Sequence, residues 1–217
     1  WIQLAQGVLY ETENNAEAAL TAYSIASKIS PDNSLVAAGF GRIYGQFGQS
    51  DLSITNFKKA LVDSVNMQNY IDLATVFQEK GMYDSALVYF HIVNARFPEH
   101  PWVQIYIASL QSQQSDHISA IAMLQHGIKY HPNDPMIHFL LGQELEQSGK
   151  FEEAINEYHV SLKIGNGQPI EALRNIGTIY FQKLVNDKKA KEYYKKYVKA
   201  GGNKDEIADA MKKLEKI

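Results

Sequence analysis

A period of about 34 residues constrains this chain more than anything else in it. A small residue recurs at Ala19, Ser53, Ala86, Ala120, Ala154 and Ala190, at spacings of 34, 33, 34, 34 and 36. Four positions after each stands a large one: Tyr23, Phe57, Phe90, Leu124, Tyr158 and Tyr194. Seven positions after come Ala26, Ala60, Val93, Gly127, Ser161 and, less well, Tyr197. Offsets of four and seven fall on one face of an α-helix, and small residues there mark where another helix comes close.

A second, earlier helix in each unit is marked in the same way. Gly7, Gly41, Ala74, Ala108 and Gly142 lie twelve residues before their small residue, and Gly177 lies thirteen before Ala190. Three residues further on come Tyr10, Tyr44, Phe77, Gln111, Leu145 and Tyr180. Gly48, Gly81 and Gly149 supply turns inside a pair, where a positive φ is expected. Pro31, Pro98 and Pro132 end second helices. No stretch of useful length alternates as a strand does, so every segment reads as helix–turn–helix.

This pattern resembles the tetratricopeptide repeat family. The best copy is Leu141-Gly142, Leu145, Gly149, Ala154, Tyr158 and Ser161. Six consecutive matches cover nearly the whole chain. The family's first-helix tryptophan is replaced by Gln3, Ala37, Tyr70, Gln104, His138 and Leu173. Gln111 stands where a large apolar residue is expected, through local looseness or a rotation of that helix toward the groove. The resemblance implies an all-α, right-handed superhelical solenoid of antiparallel helix pairs. The expected organisation is one domain over 1–217, with repeats at 1–33, 34–66, 67–100, 101–134, 135–168 and 169–202. A capping helix over 203–217 is expected to place Ile207, Ala208, Met211, Leu214 and Ile217 on one apolar face, because an uncapped last repeat exposes its stacking surface. The chain opens at Trp1 inside an apolar-periodic stretch, which reads as a fragment of a longer protein.

Composition removes several classes of function. Cysteine is absent, which excludes disulfide scaffolds, cysteine zinc sites and thiol nucleophiles. No apolar run approaches the roughly 18 residues of a membrane span. The seven histidines form neither HxxxH nor HExxH, and no metal or cofactor is expected. Gly39-Phe40-Gly41 lacks both a dinucleotide fingerprint and the strand before it, so its glycines read as packing positions. There is no GxSxG elbow. Glu144-x-Glu146 and Glu152-Glu153 read as solvated surface carboxylates. Nothing suggests an enzyme. A soluble chain of cytoplasmic or periplasmic location fits, absence of cysteine being compatible with an extracytoplasmic home, and the composition points weakly to a bacterial source.

Charge is polarised: from Lys183 onward 11 lysines face 6 acidic residues, while the rest of the chain carries 10 basic against 18 acidic. Lys188, Lys189, Lys195, Lys196 and Lys199 interleave with Tyr193, Tyr194 and Tyr197. Tyr194 and Tyr197 take buried repeat positions, so nucleic acid is not expected there; the patch reads as a lysine-rich solvated end, with an acidic protein or lipid headgroup as the alternative.

In the family, first helices line a concave groove that receives peptides or helices of partner proteins. Carried to this chain, those positions are Leu35, Ala38 and Arg42, then Ile71, Thr75 and Gln78, with Trp102, Ile105 and Ser109 in the fourth repeat. The fifth gives Met136, Phe139 and Gln143, and the sixth Arg174, Thr178 and Phe181. Trp102, Ile105, Met136 and Phe139 are either exposed anchors or covered by neighbouring repeats. The family's cationic carboxylate clamp is missing, its places holding Leu4, Val8, Gly39, Gln68 and Asp72. The expected role is a protein-interaction scaffold whose partner carries apolar anchors. Self-association, and a docking arm for an enzyme outside this fragment, are the alternatives. Membrane contact is expected only through other segments or partners.

Overall fold

The computed structural model describes residues 1–62, 66–100 and 102–215. Ile217 of the expected cap lies outside the described residues. Thirteen α-helices and one short 3-10 turn occur among the described residues, with no strand. The helices form two compact units, Trp1–Phe97 and Pro98–Ile217.

The first unit contains α1 (Ile2–Thr12), α2 (Ala16–Ile29), α3 (Ser34–Gln46), α4 (Ser50–Ala60), α5 (Met67–Glu79) and α6 (Tyr83–Arg96). α1, α3 and α5 each pack mainly on the helix that follows, and α2 and α4 pack in turn on the next pair. Side-chain caps start several helices. Asn15 Oδ1 accepts from the Ala18 amide at 3.1 Å, and Asn33 Oδ1 from the Leu35 amide at 3.0 Å, satisfying amides that have no partner inside the helix.

The second unit contains α7 (Val103–Gln113), α8 (His117–Tyr130), α9 (Pro135–Gln147), α10 (Phe151–Ile164), α11 (Glu171–Gln182) and α12 (Asp187–Lys199). A 3-10 turn, Lys204–Ile207, and α13 (Ala208–Leu214) follow. α8 and α9 are capped by Asp116 and Asp134, whose carboxylates accept from the Ser119 and Met136 amides at 3.1 and 2.8 Å.

The repeat positions become the core. Ala19, Ser53, Ala86, Ala120, Ala154 and Ala190 are fully buried, as are the large residues four positions on. The small first-helix residues are small because those rings lie on them. A Cβ at Gly142 would sit 2.7 Å from the Tyr158 ring, and one at Gly7 would sit 2.5 Å from that of Tyr23. Within each pair the chain turns through a left-handed residue five positions before the small one. Gly48, Gly81 and Gly149 do this at φ of 68°, 74° and 76°. Where glycine is missing, Asn14, Ser115 and Val185 take the same conformation at 56°, 61° and 46°. A β-branched residue is strained there, since its Cβ crowds the following carbonyl.

At two positions that would hold the family's tryptophan, a buried polar side chain reaches six residues back to a proline carbonyl. Gln104 Nε2 donates to Pro98 O at 2.5 Å, and His138 Nε2 lies 3.1 Å from Pro132 O while its Nδ1 meets Glu157 at 2.7 Å. These bonds tie the loop to the next first helix, a task different from apolar filling.

Two expectations need correction. The cap is a 3-10 turn plus a seven-residue helix, and Ala208 is exposed. Only Ile207 and Leu214 are buried against Tyr194 and Tyr197, with Ala210 and Met211 partly so. Glu144 and Glu146 are also not a solvated pair. Glu144 lies 2.8 Å from His117 Nδ1, and Glu146 accepts the Tyr158 hydroxyl at 2.8 Å. Each is held by a residue distant in sequence, which spacing along one helix does not reveal.

Candidate functional site

The first-helix positions separate into three settings, one in the first unit and two in the second. On α3 and α5, Arg42, Gly45 and Thr75 line a cavity of about 350 Å³ together with Asp72 and Glu79. Leu35 is half-exposed, whereas Ala38 (2%) and Ile71 (8%) are buried and Gln78 is partly so.

The Arg42 guanidinium is already engaged. Its Nε and Nη2 donate to the two Glu11 oxygens at 2.7 and 2.9 Å, a fork-to-fork pair. The Tyr23 hydroxyl donates to the same carboxylate. Burial, then the hydrogen bond to Glu11 and that carboxylate's charge, raise the Tyr23 phenol above its usual range. For Arg42, burial disfavours the charge, but the Glu11 hydrogen bonds and charge outweigh it and hold the guanidinium protonated. Asp72 shows the reverse balance: burial raises its carboxyl, against the lowering effects of a 2.7 Å bond from Gln68 and of Arg42 nearby. Its Oδ2 has no hydrogen-bond partner among the described residues.

On α7 and α9 the lining carries less charge, Glu144 being its single charged residue. Ile105, Ser109 and Gln143 share a crevice of about 220 Å³ with Leu124 and Leu140. Trp102 caps α7 and is 50% exposed; Met136, in the first turn of α9, is 40% exposed. Ile105 and Phe139 are partly buried against the core, Phe139 with its ring 5.7 Å from that of Tyr158.

On α11 the selected residues are occupied within the fold. Arg174 pairs with Glu206 of the 3-10 turn. Thr178 Oγ1 donates to Arg174 O at 3.0 Å and lies 3.2 Å from the Tyr194 hydroxyl. Phe181 packs into the cluster around Tyr194.

Spacing alone did not single out the tyrosine–glutamate pairs. Tyr23 with Glu11, and Tyr158 with Glu146, are both twelve residues apart, so one hydroxyl crosses each hairpin to a first-helix carboxylate. The signal was present in the sequence as a Glu twelve before a repeat tyrosine, though it occurs in only these two repeats. Burial raises the Glu146 carboxyl, opposed by the Tyr158 hydrogen bond and by the positive charges of Lys183 and Arg174. Among the described residues there is no group of three or more His, Asp or Glu side chains arranged to hold a metal.

Comparison with solved structures places the fold. A crystal structure of MamA protein matches with a TM-score of 0.69 at 19% identity, covering 76% of this chain and 91% of that one. Pseudomonas aeruginosa pilF matches with a TM-score of 0.68 at 18% identity, over 90% of this chain and 88% of that one. MamA from Desulfovibrio magneticus RS-1 gives 0.67 at 16% identity, over 77% and 94%. No family model and no curated protein matches the sequence. At such identities the likeness carries the fold alone: an all-α solenoid of tetratricopeptide repeats.

Proposed function

We propose that this tetratricopeptide-fold chain is a non-enzymatic interaction scaffold that binds an extended or helical segment of another protein across the first helices of its second unit. The observation that supports this most is the half-exposure of Trp102 and Met136 at the starts of α7 and α9, the two first helices that contribute Ile105, Ser109 and Gln143 to the crevice. A tryptophan and a methionine kept at the surface of successive first helices are unusually strong anchors: large, apolar and, for methionine, adaptable in shape. The serine and glutamine at the crevice offer hydrogen bonds to a peptide backbone. The first unit's equivalent face is less suited, because Arg42 is held by Glu11 and the remaining charges are acidic.

A random twelve-residue peptide library displayed against the immobilised chain tests the reading. Enriched peptides carry an aromatic or branched apolar residue, and their affinity changes less than about threefold between low and high salt, because apolar contacts are not screened. The double variant Trp102→Ala/Met136→Ala binds them at least tenfold more weakly with an unchanged melting temperature. Equal affinity in the double variant overturns the assignment. Phe139 is a poor probe, since its ring also packs on Tyr158 and truncation loosens the core.

A further inference from the structure

The cavity between α12, the 3-10 turn and α13 has a chemistry unlike the first-helix surface. It measures about 450 Å³, and its floor is Tyr194, Val198, Ile207 and Met211. α13 has seven residues and spans about 10 Å at 1.5 Å per residue, while α12 with thirteen runs about twice as far. The cap therefore covers only part of the α12 face on which a further repeat helix would stack.

Four of the six lysines of α12 fall into two groups. Lys189 and Lys196 are engaged, with their ammonium groups 4.8 Å and 4.7 Å from the centres of the Tyr180 and Tyr193 rings, and Lys196 also bonds Glu192 at 2.6 Å. Lys195 and Lys199 instead line the cavity one turn apart, and Lys204 lines it from the 3-10 turn. None of these three forms an ion pair among the described residues. Asp205 is the single acidic residue on the lining. The result is an apolar slot with unpaired positive charge on two walls.

We propose that this cavity is a second docking site, which takes one amphipathic helix of a partner protein, its apolar ridge flanked on both sides by Asp or Glu. The shape argues for a helix, because the α12 face is built to receive one. Two lysines at i and i+4 match carboxylates spaced by one helical turn, and Lys204 meets the opposite flank. A single-headed amphiphile would satisfy one wall and leave the other unpaired. The site is separate from the Trp102–Met136 surface and does not depend on it.

The probe is a fluorescein-labelled fourteen-residue helix with leucines on one face and glutamates on both flanks, titrated into the full 217-residue chain by anisotropy. A scrambled peptide of the same composition is the control. The helix binds at least tenfold tighter than the scramble and weakens as salt rises, since the pairs at the rim are screened. Lys195→Glu/Lys199→Glu loses about tenfold with an unchanged melting temperature, and a helix with lysine flanks recovers the loss in that variant. Trp102→Ala/Met136→Ala leaves this binding unchanged, so failure here and failure of the first-helix surface are told apart. Equal binding of helix and scramble, or of wild type and the double lysine variant, overturns the proposal. So does dodecanoate, or vesicles of an anionic lipid, binding in a Lys195/Lys199-dependent way while the helix does not.

Discussion

Tyr23 and Tyr158 occupy the same repeat position in the two units, and both send a hydroxyl to a glutamate twelve residues earlier. Around that shared pair the units differ. In the first, Glu11 is also gripped by both nitrogens of Arg42, one repeat further on. In the second, Glu146 has the Tyr158 hydroxyl, whose oxygen accepts from Asn175 at 3.2 Å, while Arg174 turns to Glu206 at the cap. Identical backbone positions thus carry a carboxylate cross-linked by a guanidinium in one unit and a carboxylate tied by a single hydroxyl in the other. The repeat dictates where a ring is buried; its hydroxyl's neighbourhood is set by residues the repeat leaves free.

The most disruptive test attacks what the units share. Gly142→Val and Gly7→Val each push a side chain into a tyrosine ring that already lies within 3 Å of where a Cβ would stand. Each is expected to cost about 3 kcal/mol by overpacking, a fall in melting temperature of about 6–12 °C. Normal melting of either variant would mean the ring contact is not what keeps glycine there.

Removing only the hydroxyl separates the units. Tyr158→Phe strips Glu146 of its donor and is expected to cost about 2 kcal/mol in urea unfolding. Tyr23→Phe leaves Glu11 held by Arg42 and should cost about half as much, or about 1 kcal/mol. Equal losses would show that Arg42 does not compensate.

The turns offer a gain. Val185 is 77% exposed and has φ of 46°, where Gly48, Gly81 and Gly149 serve other repeats. Val185→Gly is expected to stabilise by about 1 kcal/mol, because relief of the Cβ clash exceeds the added entropy of the unfolded chain. A lower melting temperature in the variant would refute that strain.

The smallest effect concerns pH. Asp72 has its carboxyl raised by burial, so between the ordinary aspartate range and the raised value the folded chain holds a proton that the unfolded chain has released. Its contribution to stability therefore falls as pH rises through that window. Asp72→Asn should abolish this dependence and raise the melting temperature at neutral pH by about 2 °C. An unchanged pH profile would remove the buried carboxyl as its cause.

Much of this was legible beforehand. Gly48, Gly81 and Gly149 take the left-handed turns that their spacing predicts, and Tyr194 and Tyr197 among the lysines are buried as their repeat positions require. The first-helix surface was harder to read. Ala38 and Ile71 share its register with Leu35, yet they are buried while Leu35 is not. Arg174, Thr178 and Phe181 share it too and are taken up by the cap and Tyr194.

By itself the sequence determined the hairpins, their turns and which side chains fill the space between helices. Those contacts recur within one repeat or between neighbours, so the same offsets repeat every 34 residues and declare themselves as a period. Only the tertiary structure decided that Arg42 belongs to Glu11, that Glu144 and Glu146 are held rather than solvated, and that three lysines surround an apolar slot at the cap. Such pairings depend on the direction in which long side chains leave each helix and on what stands opposite. They are made once, so no period records them.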